Sequence, residues 1–166
     1  MPPRPGPLRK AQAIVGTVPA ALLIGAYVSQ YGFGLFPCEM CWWQRYAHFA
    51  ALVPAVLSFV VGGEMRAWLV RIAALLLLVA GLLGGFHAGV EYGWWDGVTS
   101  CAMNADTGGG NALDAIMNAP ITRCDVAPWS LLGISLAGWN FLISTAAAIA
   151  ALIFSAPRAG LRVDRA

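Results

Sequence analysis

An all-α membrane protein, built as a bundle of four transmembrane helices with two outer loops, is the fold this chain predicts, and three observations predict it. Hydrophobic residues make up 59% of the 166 residues and charged residues only 11%, whereas a soluble domain carries about a quarter charged residues. Four runs hold no charge at all, at 11–37, 47–63, 72–90 and 126–157, and a hydrocarbon core is crossed by roughly 20 apolar residues. Eight of the ten Lys and Arg lie at the N-terminus, between the second and third runs, or at the C-terminus. These basic residues are topological markers, so the net charge of +2 does not describe a nucleic-acid-binding face.

The elements follow in order within one membrane domain, residues 1–166. A first span near 13–33 follows Arg4, Arg9 and Lys10, and its length together with the later spans fits a retained signal-anchor. The second span is expected near 43–62, the third near 70–91 and the fourth near 129–155. Pro19 and Pro54 fall inside the first two, where neighbouring helices can satisfy the freed carbonyls. Gly81, Gly85 and Gly89 repeat every fourth residue in the third, a stripe that lets another helix come close. The basic asymmetry puts both termini in the cytoplasm and the two outer loops, about 34–42 and 92–128, on the side where disulfides persist. In the second loop, Asn111 is placed to cap a short amphipathic helix with Leu113, Ile116 and Met117 opposite Asp114.

All four cysteines fall in these outer loops. Cys38-Glu39-Met40-Cys41 is a C-x-x-C at the start of the second span. Cys41 therefore sits at a helix N-terminus, where the dipole favours a thiolate, and Arg45 follows one turn later on the same face. Glu39 disfavours a thiolate at Cys38, so the two sulfurs are expected to be inequivalent, with Cys41 the better electron donor. Arg45 can instead be an interfacial anchor. Cys101 and Cys124, separated by 22 residues, lack the close second pair that a structural zinc site would want, and no metal is expected. Two inert structural disulfides remain an alternative to a dithiol relay.

Pro37-Cys38-Glu39-Met40-Cys41 followed by Gln44-Arg45, a second cysteine pair before the last span, and His87 at the outer end of the third together resemble the disulfide bond formation protein B (DsbB) family, bacterial inner-membrane thiol oxidases. The resemblance covers essentially the whole chain. It implies that Cys101 forms a mixed disulfide with a periplasmic thioredoxin-like oxidase of the DsbA type, with Cys124 as its partner. Electrons would then pass to Cys38 and Cys41 and on to a membrane quinone, ubiquinone or menaquinone, with Arg45 and His87 at the quinone and Trp42 and Tyr46 as further candidates to wall its ring. Glu91 stands where better-known members carry glutamine, and the second cysteine spacing is shorter. A thiol-driven quinone or epoxide reductase like the vitamin K epoxide reductases, and a non-enzymatic four-span protein with static disulfides, are the alternatives.

Energetics favour a strong terminal acceptor. Thioredoxin-like oxidants of that type sit near −120 mV and structural disulfides below about −300 mV, so driving the first with the second is uphill by roughly 180 mV, about 8 kcal/mol for two electrons. A lipid-soluble quinone can supply that drive.

Overall fold

The structure is a computed structural model that describes residues 6–98 and 122–157. Cys101, Gly108 to Gly110 and the expected amphipathic helix around 111–117 lie outside the described residues. Among the described residues there are four helices, α1 (Pro7–Phe33), α2 (Glu39–Val60), α3 (Gly63–Glu91) and α4 (Leu136–Ser155), with a two-stranded hairpin, β1 (Ser130–Leu131) and β2 (Ile134–Ser135), leading into α4. Pro7 opens α1 at its first turn, where its missing N–H costs no helical bond. Gly34, at φ 69°, closes it in the left-handed region, and the Leu35 N–H turns back to Ser29 O at 3.1 Å.

Among the described residues, α1, α3 and α4 are long and apolar enough to cross a membrane. The protein is thus a helical membrane protein. In α2, Glu39, Gln44, Arg45 and His48 interrupt the apolar sequence of the first half, and Gln44, Arg45 and His48 are buried within the bundle. The last helix departs from the expected span of 129–155 and begins only at Leu136. Leu132 and Gly133 take φ of 54° and 78°, the paired positive values of a tight two-residue hairpin turn, and fold 130–135 back on itself. Ser135 then caps α4, its hydroxyl accepting from the Gly138 N–H at 3.1 Å.

The core runs along the bundle in three layers. At the end bearing the start of α1 it holds Ala11, Val15, Ala55, Val70, Ala73, Ala74 and Ala151. Ala51, Leu77 and Ala148 occupy the middle, and Cys38, Met40, Val90 and Cys124 the other end. The preponderance of alanine brings backbones together, as expected where lipid removes the hydrophobic drive between helices. Large apolar side chains such as Ile24, Phe59, Leu75 and Ile153 face outward instead.

The glycine stripe works as expected at two of its three positions. A Cβ at Gly81 would lie 2.6 Å from Thr145 Oγ1, and one at Gly85 2.8 Å from the Phe141 ring, so both receive α4. Gly89 instead receives Trp95 from the segment after α3. Gly84, outside the four-residue spacing, is as tight: a Cβ there would fall 2.9 Å from both Ala137 O and Asn140 Nδ2 and 3.0 Å from Phe141 N.

The outer end of α3 is tied down by aromatics. Trp95 Nε1 donates to Phe86 O at 3.0 Å and its ring stacks on Phe86. The Tyr92 hydroxyl donates to Gly133 O at 3.1 Å and accepts from the Ser135 N–H at 3.0 Å. This phenol joins the end of α3 to the hairpin that starts α4.

Candidate active site

Residues 34–38 link α1 to α2 directly, so the C-x-x-C has little freedom. Cys38 is the residue just before α2, and its sulfur accepts from the Cys41 N–H at 3.4 Å. The cap places both sulfurs at the helix start, 3.0 Å apart, with the Cys38 thiol donating to Cys41 Sγ. Both precede residue 43, where the second span is expected to begin. The hydrogen bond to Cys41, aided by burial, pushes Cys38 up to about 12. The same bond, which stabilises an anion on the accepting sulfur, moves Cys41 below the ordinary thiol value. The inequivalence expected from sequence is present with Cys41 the more acidic, but its main cause is the partner thiol.

Arg45 is where the geometry differs from that expectation. Its guanidinium turns to α1, donating to Gln30 Oε1 at 2.6 Å and Ala26 O at 3.2 Å. It also lies over the rings of Tyr27 and Trp42, at 4.8 and 5.0 Å. Spacing by four put Arg45 on the Cys41 side of α2. The acceptors and aromatic faces offered by α1, which no pattern within α2 reveals, decided its orientation.

His87, near the end of α3, comes directly onto the cysteines. Its Nε2 lies 3.6 Å from Cys38 Sγ and 3.8 Å from Glu91 Oε1, its Nδ1 lies 2.9 Å from Gln44 Nε2, and its side chain also hydrogen-bonds the backbone of Cys124. Cys124 packs in one buried cluster with Cys38 and Met40, so three of the four cysteines share this end of the bundle. Glu91 Oε2 is buried and has no hydrogen-bond partner, leaving an acceptor or a proton site available beside the histidine.

Cys38, Cys41 and His87 offer ligand atoms within 4.8 Å of one another. Tetrahedral zinc bonded to sulfur at about 2.3 Å would hold two thiolates about 3.8 Å apart. The 3.0 Å separation here suits two sulfurs that close to a disulfide with a small movement.

A cavity of ≈ 240 Å³ opens beside this pair. Its polar end is Cys41, Gln44, Arg45, His48, His87 and Glu91, and its walls are apolar, from Leu22 and Ala26 of α1 to Phe36 and Trp139. A dry cavity of about 150 Å³ takes a benzene, so a substituted six-membered ring fits. Cys41, Arg45 and His87 therefore meet at one cavity, while Trp42 and Tyr46 are absent from its lining. Trp42 acts through the Arg45 guanidinium, and Tyr46 is exposed on the outside of α2 next to Trp42. Sequence reasoning passed over Gln44, His48 and Asn140 as cavity residues. The available signal was two polar pairs at helical spacing, Gln44 with His48 and Asn140 with Ser144, inside otherwise apolar runs.

Comparison with known proteins agrees with this architecture. The family model described as disulfide bond formation protein DsbB matches residues 8–154. A disulfide bond formation protein B from Polaromonas sp. (strain JS666) is 31% identical over 87% of this chain and 89% of its own length. One from Azoarcus sp. (strain BH72) is 33% identical over 84% and 87%, and one from Paracidovorax citrulli 30% identical over 90% and 89%. No solved structure matches the chain. With a C-x-x-C at a helix start whose first cysteine is buried, a third cysteine in the same buried cluster and a family match spanning nearly all of its length, the chain belongs to the DsbB family of disulfide bond formation proteins.

Proposed function

We propose that this protein is a quinone-dependent protein dithiol oxidase of the bacterial inner membrane, with four spans, both termini cytoplasmic and the cysteines periplasmic. The observation that carries the reading is that Cys41, Arg45, His87 and Glu91 line one and the same largely apolar cavity. As the fourth span, α2 packs between α1 and α3 and runs the full depth of the bundle. The eight-of-ten distribution of basic residues supports the orientation.

Reduced thioredoxin-like oxidase of the DsbA type is the proposed electron source: one of its thiolates attacks Cys101 of a Cys101–Cys124 disulfide and releases Cys124 as a thiolate, and its second thiol then resolves the mixed disulfide, so that the partner leaves oxidised and the outer pair is reduced. Cys124 packs in one buried cluster with Cys38, a short route by which the outer pair can reduce the inner one. Two electrons and two protons leave the inner dithiol as its S–S bond forms, and a bound quinone supplies the acceptor for both. The chain's own residues prepare that step. Cys38 donates to Cys41 and favours its thiolate, the Arg45 guanidinium sets positive charge at the cavity wall, and the apolar lining excludes water.

The test is anaerobic mixing of the purified, reduced protein with a soluble ubiquinone or menaquinone analogue, following quinol formation optically. Stoichiometric quinol with a Cys38–Cys41 disulfide supports the reading. Exchange of disulfides with a thioredoxin-like oxidase but no quinol would overturn the quinone assignment.

A further inference from the structure

Gln44, His48, Asn140 and Ser144 are all buried and form one hydrogen-bonded chain that ends on His87. Its polarity can be read because it terminates on backbone carbonyls, which only accept. Asn140 Nδ2 donates to Ala80 O at 3.1 Å and to Gln44 Oε1 at 2.7 Å. Asn140 Oδ1 then faces the Ser144 hydroxyl at 2.7 Å and His48 Nε2 at 2.9 Å, and both donate to it. With its oxygen taken by Asn140, Gln44 directs Nε2 to Met40 O at 3.2 Å and to His87 Nδ1 at 2.9 Å. Flipping either amide would set oxygen against oxygen at Ala80 or at Met40. Since Nδ1 accepts from Gln44, the single proton of a neutral His87 ring sits on Nε2. That nitrogen is the one facing Cys38 Sγ and Glu91.

We propose that Gln44 and Asn140 are positioning residues that fix His87 as its Nε2–H tautomer, so that the ring meets Cys38 as a hydrogen-bond donor. A donor at 3.6 Å stabilises negative charge on the Cys38 sulfur and holds it in place for exchange. It is the wrong polarity for a base that would take the Cys38 proton while the ring is neutral. The significance for Cys38 rests on the dithiol-oxidase reading, whereas the tautomer itself does not.

The experiment is 15N NMR of the reduced, detergent-solubilised full chain labelled in its histidine rings, recorded in alkaline solution where imidazoles are neutral. The chain has only two histidines, and the signals lost in His87→Asn identify the His87 ring. The expected wild-type spectrum shows a protonated Nε2 and a bare Nδ1 for His87. Gln44→Glu puts an acceptor opposite Nδ1, and Asn140→Asp turns the Gln44 oxygen toward it. In whichever of these variants folds, the Nε2–H signal is expected to be lost in favour of Nδ1–H. A wild-type ring protonated on Nδ1, or folded variants that retain the wild-type pattern, would overturn the proposal. Wild-type and variant spectra contain no quinone, so a failed tautomer assignment and a failed quinone assignment are told apart.

Discussion

Replacing Cys38 by alanine should make Cys41 a markedly weaker acid, and replacing it by serine should not. The Cys38 thiol donates to Cys41 Sγ across 3.0 Å, and this bond is the largest influence lowering Cys41. Hydrogen bonds to charged groups contribute about 1.5–3 kcal/mol, and one pKa unit is 1.36 kcal/mol. Cys38→Ala is therefore expected to raise Cys41 by about one to two units, cutting the thiolate fraction well below the midpoint about 10- to 100-fold. The sign is fixed: the alkylation rate rises with pH as Cys41 ionises, so the Ala curve lies at higher pH than wild type. Cys38→Ser keeps a donor and should keep most of the shift. The assay is stopped-flow alkylation against pH in protein also carrying Cys101→Ser and Cys124→Ser, so that Cys41 alone reacts in the variants. In the parent pair, Cys38 near 12 stays silent at neutral pH. Coincident midpoints for Cys38→Ala and Cys38→Ser would refute the argument and leave the helix terminus as the source of the acidity.

Two further outcomes follow from the geometry. Arg45→Met should leave the Cys41 alkylation midpoint in place, because the guanidinium bonds Gln30 and Ala26. It should lower thermal stability in detergent by about 1–3 kcal/mol through the acceptors left unpaired, with Arg45→Lys recovering only part, since lysine lacks the planar fork. Tyr92→Phe removes both bonds of the phenol to the hairpin and should cost about 1–2 kcal/mol, read as faster amide exchange at 130–135; unchanged protection there would show that the phenol does not hold the hairpin.

The helices and the placing of both C-x-x-C sulfurs at the start of α2 were legible because charge-free length and C-x-x-C spacing are local signals. What the sequence could not show was which partner each polar side chain meets across helices. Arg45 and Cys41 share a helix face by spacing, yet Gln30 and Tyr27 of α1 claimed the guanidinium. The network through Gln44, His48 and Asn140 was missed because these residues carry no formal charge, so a search for charge within apolar runs passes over them. The start of α4 was misplaced because Leu132 and Gly133 belong to an apolar run by composition, while their positive φ values belong to a turn.

Gly84 and Asn140 compete for one volume, since a Cβ on the glycine would sit 2.9 Å from the asparagine nitrogen. The Ala137 carbonyl, 2.9 Å away, and the Phe141 backbone nitrogen, 3.0 Å away, bound the same space. In evolutionary terms the constraint runs one way. A descendant that loses the amide at 140 is still held to glycine at 84 by the backbone of α4, whereas one that gains a methyl group at 84 must spread α3 from α4 and pull the asparagine away from Ala80, to which it donates at 3.1 Å. A larger residue at 84 in a relative's sequence is therefore expected to mark a chain whose histidine is not held by this amide pair.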